Sequence, residues 1–331
     1  MSDLLADIAD TVLTLTAAER IVAITAVQTL WSGYGEIERY LLRGGEVDSV
    51  IVKRVNPPTS AHHPRGWHSD LSHQRKLRSY AVESHWYQEW SSRLSRQWSP
   101  LPHCYAVKSG NDGLFMVLED LDQSGFPLRK ERVSPTGIEA CLSWLAHFHA
   151  TFMGVTPEGL WPSGSYWHLQ TRPDELAALD DPELRQAAAA IDLRLRSARF
   201  QSIIHGDAKL ANFCFASNGN KVAAVDFQYV GGGCGMKDVA YFVGSCLSEQ
   251  ACEAQEKWLL DCYFHHLSAA LKRLDSPFSG SEVEEEWRPL YAVAWTDFHR
   301  FIKGWSPGHW KIHSYSERLA RTVVATLSAE S

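Results

Sequence analysis

The chain has 331 residues, 45% of them hydrophobic and 21% charged, and its 32 basic and 39 acidic side chains give a net charge of −7. These values are typical of a folded soluble protein with one large domain or two lobes. The acidic balance argues against nucleic acid as a partner, because neutralising phosphates requires a basic surface. No apolar run reaches the roughly 18 residues of a membrane span, and the first ten residues are acidic, unlike a secretory signal. We therefore expect a cytoplasmic protein without a membrane partner.

The first third of the chain is typical of strands grouped around a single helix. Apolar alternation and turn signals predict strands over residues 24–30, 36–42, 49–55, 104–108 and 114–119. A helix is predicted over 74–97, ending before Pro100, since an X-Pro step disfavours helix. A loop rich in Pro and His separates the third strand from this helix at 56–73, and its length fits a substrate-related segment. The pattern predicts a small antiparallel sheet with one helix inserted.

Beyond Leu121 the pattern becomes mainly helical. Ser134 is a suitable N-cap for a helix whose apolar side chains recur on one face, and a second helix is predicted over 182–197. Helical patterns dominate again from Lys237 onward. Strand signals return only at 203–204, 213–215 and 222–225. The whole chain is therefore predicted to be an α+β protein with its sheet first and its helices later.

One segment carries side chains suited to phosphoryl transfer. Residues 203–213 read IIHGDAKLANF, which places Asp207 and Asn212 on one tight loop, and Asp226 follows 19 residues after Asp207 at a strand end. One carboxylate can orient and deprotonate an attacking hydroxyl, while the amide oxygen and the other carboxylate are hard ligands for Mg²⁺. Short flanking strands would hold these oxygens in place.

These two motifs, HGDxxxxN and the later Asp226-Phe227-Gln228, resemble the aminoglycoside phosphotransferase and choline kinase superfamily, and within it the ecdysteroid-kinase-like branch. The resemblance extends from Gly33 to about Lys311. It implies a bilobal protein-kinase-like fold in which the small N-terminal lobe is an antiparallel β-sheet with one helix and the larger C-terminal lobe is mainly helical. The lobes are expected at 1–118, for nucleotide binding, and at 123–331, for catalysis and substrate, joined by a hinge at 119–122.

The resemblance assigns roles to four residues of these motifs. It implies that Asp207 accepts or orients the hydroxyl proton and that Asn212 and Asp226 bind Mg²⁺. Lys209 would approach the γ-phosphate, with a plain salt bridge as the equal alternative. The implied cofactors are ATP and Mg²⁺, and the implied partner is a small-molecule alcohol.

Two further residues fit supporting roles around this loop. By resemblance His205 supports the loop through hydrogen bonds, and Asp238 braces it from a helix start. The 12 residues from Asp226 to Asp238 leave no room for the activation segment of a protein kinase, so a protein substrate is disfavoured. A non-catalytic nucleotide sensor remains the alternative.

By resemblance, residues of the N-terminal lobe would anchor the phosphates of the nucleotide and cover them. Lys53, on the third strand, matches the phosphate-anchoring lysine, and Glu83 on the following helix is preferred over Glu89 as its partner. The loop that would cover the nucleotide departs from the full GxGxxG pattern, and a plain hairpin turn is its alternative. The residues of this loop are Gly33, Tyr34 and Gly35.

The segment FMVLEDL at 115–121 resembles the hinge that holds adenine. Backbone groups from Glu119 to Leu121 would hydrogen-bond the base, and Met116 would lie beside the ring. The alternative is a strand end whose acidic residues face water.

The C-terminal helix region carries aromatic and acidic residues at helical spacing. By resemblance, Trp295, Trp305 and Asp297 would help to hold an acceptor, through cation–π and charge contacts if it is cationic. The alternative, which carries at least equal weight, is an aromatic core stripe with a solvated acidic face. The sequence at 301–307 resembles the ecdysteroid-kinase-like branch. Both a neutral hydrophobic alcohol and a cation therefore remain possible acceptors.

Overall fold

A computed structural model describes residues 2–30, 33–57, 70–110 and 113–330 of the protein. The chain divides into two compact units, Met1–Ser92 with Leu101–Leu128, and Arg93–Pro100 with Arg129–Ser331. The expected hinge at 119–122 lies inside the first unit, and the lobe boundaries stay a prediction. Most of the predicted Pro- and His-rich loop, at 58–69, falls outside the described residues, as do 31–32 and 111–112 in two predicted turns.

The first unit contains the predicted antiparallel sheet. Its strand order is β1-β2-β3-β5-β4, so the third and fifth strands are neighbours at the centre. The strands are β1 (Arg20–Thr29), β2 (Gly35–Arg43), β3 (Ser49–Val55), β4 (Cys104–Gly110) and β5 (Gly113–Glu119), and the helices are α1 (Ser2–Thr16) and α2 (Asp70–His85).

The two faces of this sheet have different cover. Val50 and Val52 of β3 point to one face, where they form a buried cluster with Ile8 and Val12 of α1. Lys53, the residue after Val52, points to the other face, where α2 lies. The sheet is thus buried on both sides at its centre, which accounts for the apolar run at 50–52 in β3.

Two differences from the sequence-based prediction have a tertiary cause. Helix α1 was not predicted, although Ile8 and Val12 are four residues apart and therefore share the face that packs on the sheet. The predicted helix over 74–97 is instead α2, a π-helical turn at Trp86–Trp90 and a 3₁₀ turn that ends at Arg93. The chain then turns so that Trp98 stacks on His147, with ring centroids 4.8 Å apart.

The second unit is mainly helical, as predicted. Ser134 Oγ accepts a hydrogen bond from the Gly137 nitrogen and caps the first of its helices. Two pairs of three-residue strands, β6 with β9 and β7 with β8, interrupt the helices. The elements are α3 (Pro135–Thr151), α4 (Pro173–Ala177), α5 (Pro182–Arg196), β6 (Ser202–Ile204), β7 (Phe213–Phe215), β8 (Val222–Ala224), β9 (Gly231–Gly233), α6 (Met236–Cys246), α7 (Glu249–Arg273), α8 (Gly280–Trp305) and α9 (Ser314–Glu330).

The core of the second unit is rich in aromatic rings. Trp144 of α3 packs on Phe148, Phe213 and Phe227. Trp287 of α8 is fully buried and donates from Nε1 to the Phe200 carbonyl at 3.0 Å. In the described part of the chain, no helix is both long enough and apolar enough to cross a membrane.

Candidate active site

The loop after β6 is held in place by a carboxylate on α6. Asp238 accepts hydrogen bonds from the backbone nitrogens of His205, at 2.6 Å, and Gly206, at 2.9 Å. Gly206 has a φ of +79°, and a Cβ there would lie 2.1 Å from the Tyr229 carbonyl oxygen, so the loop requires glycine at this point. The backbone that leads into Asp207 is therefore rigidly set.

His205 contributes to the same support through both ring nitrogens. Its Nε2 lies 3.0 Å from the Val225 carbonyl oxygen, to which it must donate, and its Nδ1 accepts from the Asp207 nitrogen at 3.2 Å. The ring is fully buried, against Phe227. These contacts connect the loop to the strand end before Asp226, which is the supporting role expected for His205.

The carboxylate of Asp207 has one occupied oxygen and one without a partner. Its Oδ2 accepts from Lys209 Nζ at 2.9 Å and from Asn212 Nδ2 at 3.0 Å. Its Oδ1 is buried and has no hydrogen-bond partner among the described residues. Because a buried carboxylate oxygen without a partner is costly, this atom is suited to receive a proton donor supplied by a bound molecule.

Lys209 is a cation held between acidic groups. Burial by itself lowers its pKa, but the nearby carboxylates of Asp207 and Asp226 raise the pKa well above the ordinary value for lysine. The charge is therefore permanent at physiological pH. The structure thus shows the salt bridge between Lys209 and Asp207 that the sequence left as one of two alternatives. The charge of Asp226 also acts on this amine.

Asn212 and Asp226 supply oxygens of the kind that Mg²⁺ prefers. Asn212 Nδ2 donates to both the carbonyl and the carboxylate of Asp207, so its Oδ1 points away from these two acceptors. The Asn212 carbonyl accepts from the Val225 nitrogen at 3.0 Å, which brings the next residue, Asp226, alongside. An amide oxygen and a carboxylate on rigid backbone fit a hard divalent cation.

In the first unit, Lys53 and Glu83 form a buried ion pair. Lys53 Nζ lies 2.6 Å from Glu83 Oε2, and both side chains are at most 5% exposed. Glu89 is exposed on the π-helical turn, so it is Glu83 that reaches the lysine. Met116 lies directly opposite Lys53 in the β3–β5 pairing, and the two side chains share one face of the sheet.

The loop at Gly33–Gly35 is tightly closed. Gly35 has a φ of +142°, and a Cβ there would approach the Arg54 carbonyl oxygen to 2.0 Å. The Tyr34 side chain turns into a cluster with Leu30, Val55 and Tyr80. Any contact of this loop with a nucleotide would therefore use its backbone, including Gly33, and not the Tyr34 ring.

The segment expected to be the hinge is braced by polar contacts. Glu119 accepts from the His103 nitrogen at 2.8 Å, whereas the Leu121 nitrogen has no hydrogen bond among the described residues. Asp120, a residue that the sequence did not single out, is held by Arg39 Nε and by Ser49 Oγ, each at 2.6 Å. These contacts anchor the segment to β2 and β3.

Three residues expected near the acceptor lie in the packed interior or against it. Asp297 is fully buried, accepts from Trp167 Nε1 at 3.0 Å and pairs with Arg300 at 2.7 Å. Trp295 is 4% exposed, and Trp305 stacks on Phe301 with centroids 6.0 Å apart. These contacts favour the core-stripe alternative for Asp297 and Trp295.

The sequence did not identify three residues that lie around Asp207. The hydroxyls of Tyr166 and Tyr241 are 3.2 Å apart, and burial together with the Asp207 charge raises the pKa of Tyr166. Lys311, from the segment after α8, contacts the Tyr241 ring at 4.6 Å; burial lowers its pKa, and the charge of Asp207 opposes this effect. No short-range pattern marks these positions, because they are 41, 34 and 104 residues away from Asp207 along the chain.

The fold and the loop chemistry together define a kinase-like protein. A model of the phosphotransferase enzyme family (APH) matches residues 26–276, more than half of the chain. The chain therefore belongs to this family. A comparison with curated protein sequences found no match.

Solved structures support the fold. Amicoumacin kinase hAmiN, in complex with AMP-PNP, Ca²⁺ and Ami, is similar with a TM-score of 0.53 and 12% identity, over 92% of this chain and 88% of that one. A point mutant of aminoglycoside 2′-phosphotransferase-IIIa, in complex with GDP, has a TM-score of 0.50 and 11% identity, over 98% and 99%. The choline kinase LicA from Streptococcus pneumoniae has a TM-score of 0.47 and 13% identity, over 99% of each chain. The first two likenesses confirm the predicted kinase-like α+β fold.

Proposed function

We propose that the protein is an enzyme that transfers the γ-phosphoryl group of ATP to a hydroxyl of a small molecule, with Mg²⁺ as cofactor. The observation that supports this proposal is the hydrogen bonding of the Asp207 carboxylate. Its Oδ2 is engaged by Lys209 and Asn212, while its buried Oδ1 has no partner in the described part of the chain. A substrate hydroxyl that donates to Oδ1 would satisfy this oxygen.

The transfer is a displacement at the γ-phosphorus. The hydroxyl oxygen of the acceptor forms the new bond to phosphorus, the bond to the β,γ-bridging oxygen breaks, and ADP leaves with that electron pair. The proton of the hydroxyl passes to Asp207, an effect worth about 10²–10⁴-fold in rate for a positioned base. Lys209 adds a permanent positive charge beside the reacting groups.

The remaining residues would hold the nucleotide. Asn212 and Asp226 would bind Mg²⁺, which would neutralise negative charge on the phosphates when bound. Lys53, held by Glu83, would anchor phosphates, and backbone groups near Glu119 and Leu121 would receive the base. The family membership and the nucleotide complexes of similar folds support this arrangement.

The acceptor belongs to one of four classes: an amino alcohol, an aminoglycoside-like compound, a sugar or a steroid-like alcohol. The sequence at 301–307, which resembles the ecdysteroid-kinase-like branch, supports a steroid-like alcohol. A protein acceptor is opposed by the short path from Asp226 to α6, three residues of which form strand β9, paired with β6.

The experiment measures Mg²⁺-dependent ADP release from ATP across a library of these alcohols. We expect release with at least one class, and Asp207→Asn should abolish the release while nucleotide affinity by calorimetry stays within about threefold. The exposed Asp180→Asn is the matched control and should behave like the wild type. Near-native turnover by Asp207→Asn would contradict the role of Asp207. Tight ATP binding with no release across the library would favour a nucleotide sensor.

A further inference from the structure

Lys311 brings an amine to the surroundings of Asp207 from a distant part of the chain. Its Nζ lies 4.6 Å from the ring centroid of Tyr241, 5.3 Å from that of Phe298 and 5.6 Å from that of Trp310. Two of these rings belong to the packed helices α6 and α8. The amine is therefore held in a defined place by aromatic faces.

This amine lacks an anionic partner of its own. No hydrogen bond or ion pair of Lys311 Nζ occurs among the described residues. Burial lowers its pKa to about 8, while the charge of Asp207 raises the pKa and that of Lys209 lowers it. Lys311 thus stays mostly protonated at neutral pH. The Tyr241 ring that it contacts is linked to the loop, because the Tyr241 hydroxyl donates to Tyr166, and the Tyr166 nitrogen donates to the carbonyl of Gly206, next to Asp207, at 3.2 Å.

The carboxylates that could attract a cationic acceptor are already neutralised by the protein. Asp297 pairs with Arg300 at 2.7 Å and with Lys237 at 3.3 Å, and it is 1% exposed. One oxygen of Asp207 is taken by Lys209. An ammonium group that approached Asp207 would meet Lys209 and Lys311, and like charges in a poorly solvated site repel.

The neighbouring hydroxyls of Tyr166 and Tyr241 likewise bring no negative charge to the site. Tyr241 donates to Tyr166 at 3.2 Å. Burial raises the pKa of both phenols, and the charge of Asp207 raises it further, so both stay neutral. The Tyr241 proton is used in this bond, so the Tyr166 hydroxyl and the Lys311 ammonium group remain as proton donors, and none of the three groups carries negative charge.

We propose that Lys311, with Tyr241 and Tyr166, forms an acceptor subsite that selects an alcohol bearing a carboxylate, or a carbonyl oxygen in its place, and rejects cationic amino alcohols. This inference rests on the proposed function. Of the four acceptor classes given there, it favours sugars and steroid-like alcohols over the two cationic classes. The rings of Tyr241, Phe298 and Trp310 form an aromatic cage that holds the lysine. The lysine in turn supplies the positive charge that pairs with the substrate. Asp297 and Trp295, which the sequence suggested for holding a cation, are thus used inside the protein.

The test uses alcohols of one skeleton in three charge states, beginning with glucuronate, glucose and glucosamine and extending to hydroxysteroids with carboxylate, neutral and amine substituents. ADP release gives kcat and KM, and saturation-transfer NMR in the presence of ADP gives binding without turnover. The variants are Lys311→Glu and Lys311→Met, and the control is Lys272→Met on the exposed face of α7.

We expect the wild type and the control to favour the carboxylate form over the amine form by about tenfold or more, the value of one charge-assisted hydrogen bond. Lys311→Met should lose this preference and Lys311→Glu should reverse it, mainly through KM. A wild-type preference for the amine form, or the same response of wild type and Lys311→Glu to every compound, would overturn the proposal. Asp207→Asn separates the two proposals: normal transfer by this variant refutes the proposed function, whereas the binding preference tests Lys311 alone.

Discussion

Asp238 holds the backbone of His205 at 2.6 Å, and this contact joins the start of α6 to the loop that carries Asp207. The same carboxylate accepts from the Gly206 nitrogen and lies 3.1 Å from His149 Nε2. His149 in turn is hydrogen-bonded through Nδ1 to the Tyr263 hydroxyl, at 2.8 Å. A fully buried network that reaches from α7 to the loop therefore determines where the Asp207 carboxylate stands.

Asp238→Asn should lower kcat by about 10–100-fold, with the KM for ATP changed less than threefold. The asparagine amide would place a donor against a backbone donor and shift the loop, and small displacements of positioned groups are costly in rate. Steady-state kinetics separate the two constants. Asp192→Asn, which alters another buried carboxylate of the second unit, is the control: it should lower stability and leave kcat near wild type. Equal kcat losses in both variants would mean that Asp238 acts through stability only.

Asp226→Asn should weaken Mg·ATP binding by about tenfold or more, because a neutral amide is a poorer ligand for Mg²⁺ than a carboxylate. Asp226 has a φ of +70°, a conformation that asparagine tolerates, so the backbone should be retained. Calorimetry with and without Mg²⁺ measures the effect. ATP affinity in the absence of Mg²⁺ is the internal control and should not change. An unaltered affinity for Mg·ATP would argue against the metal role.

Glu83→Gln should lower the free energy of unfolding of the first unit by about 3 kcal/mol, since it removes the charge that balances a buried lysine. The double variant Lys53→Met with Glu83→Met should regain most of this loss, because neither buried charge remains. The double variant should still fail to bind ATP normally. Urea unfolding and calorimetry report the two properties. Recovery of both stability and affinity would show that Lys53 does not contact phosphate.

Acid should destabilise the second unit partly through His147. Burial lowers its pKa from 6.5 to about 4, with smaller lowering effects from Arg273 and His266. Between these values the unfolded chain binds a proton that the folded chain does not, so the free energy of unfolding falls as the pH falls from about 6.5 to about 4. His147→Phe, which can keep the stacking on Trp98, should flatten this dependence in urea unfolding at pH 7 and pH 5. The exposed His265→Gln should keep the wild-type slope, and the same slope in His147→Phe would exclude the assignment.

The strands and the loop that carries Asp207 could be predicted because their determinants are local. Strand β3 lies at the predicted positions, since a run of β-branched residues between turn signals needs no distant information. The spacing of Asp207, Asn212 and Asp226 lies within 20 residues, and the structure brings these residues together around one loop. Helix α1 was not predicted because its apolar stripe is short, and the stripe is buried only through its contact with the sheet.

By itself, the sequence determined the family, the order of sheet and helices, and the identity of the acidic and amide groups around Asp207. Only the tertiary structure decided how the charges pair: Asp297 with Arg300 and Lys237 in the interior, and Lys311 within an aromatic cage near Asp207. The physical reason is that local propensities and motifs depend on near neighbours in the chain. Burial and charge pairing depend instead on which distant residues meet, and this is set by the packing of α6 and α8 and by the segment that follows them.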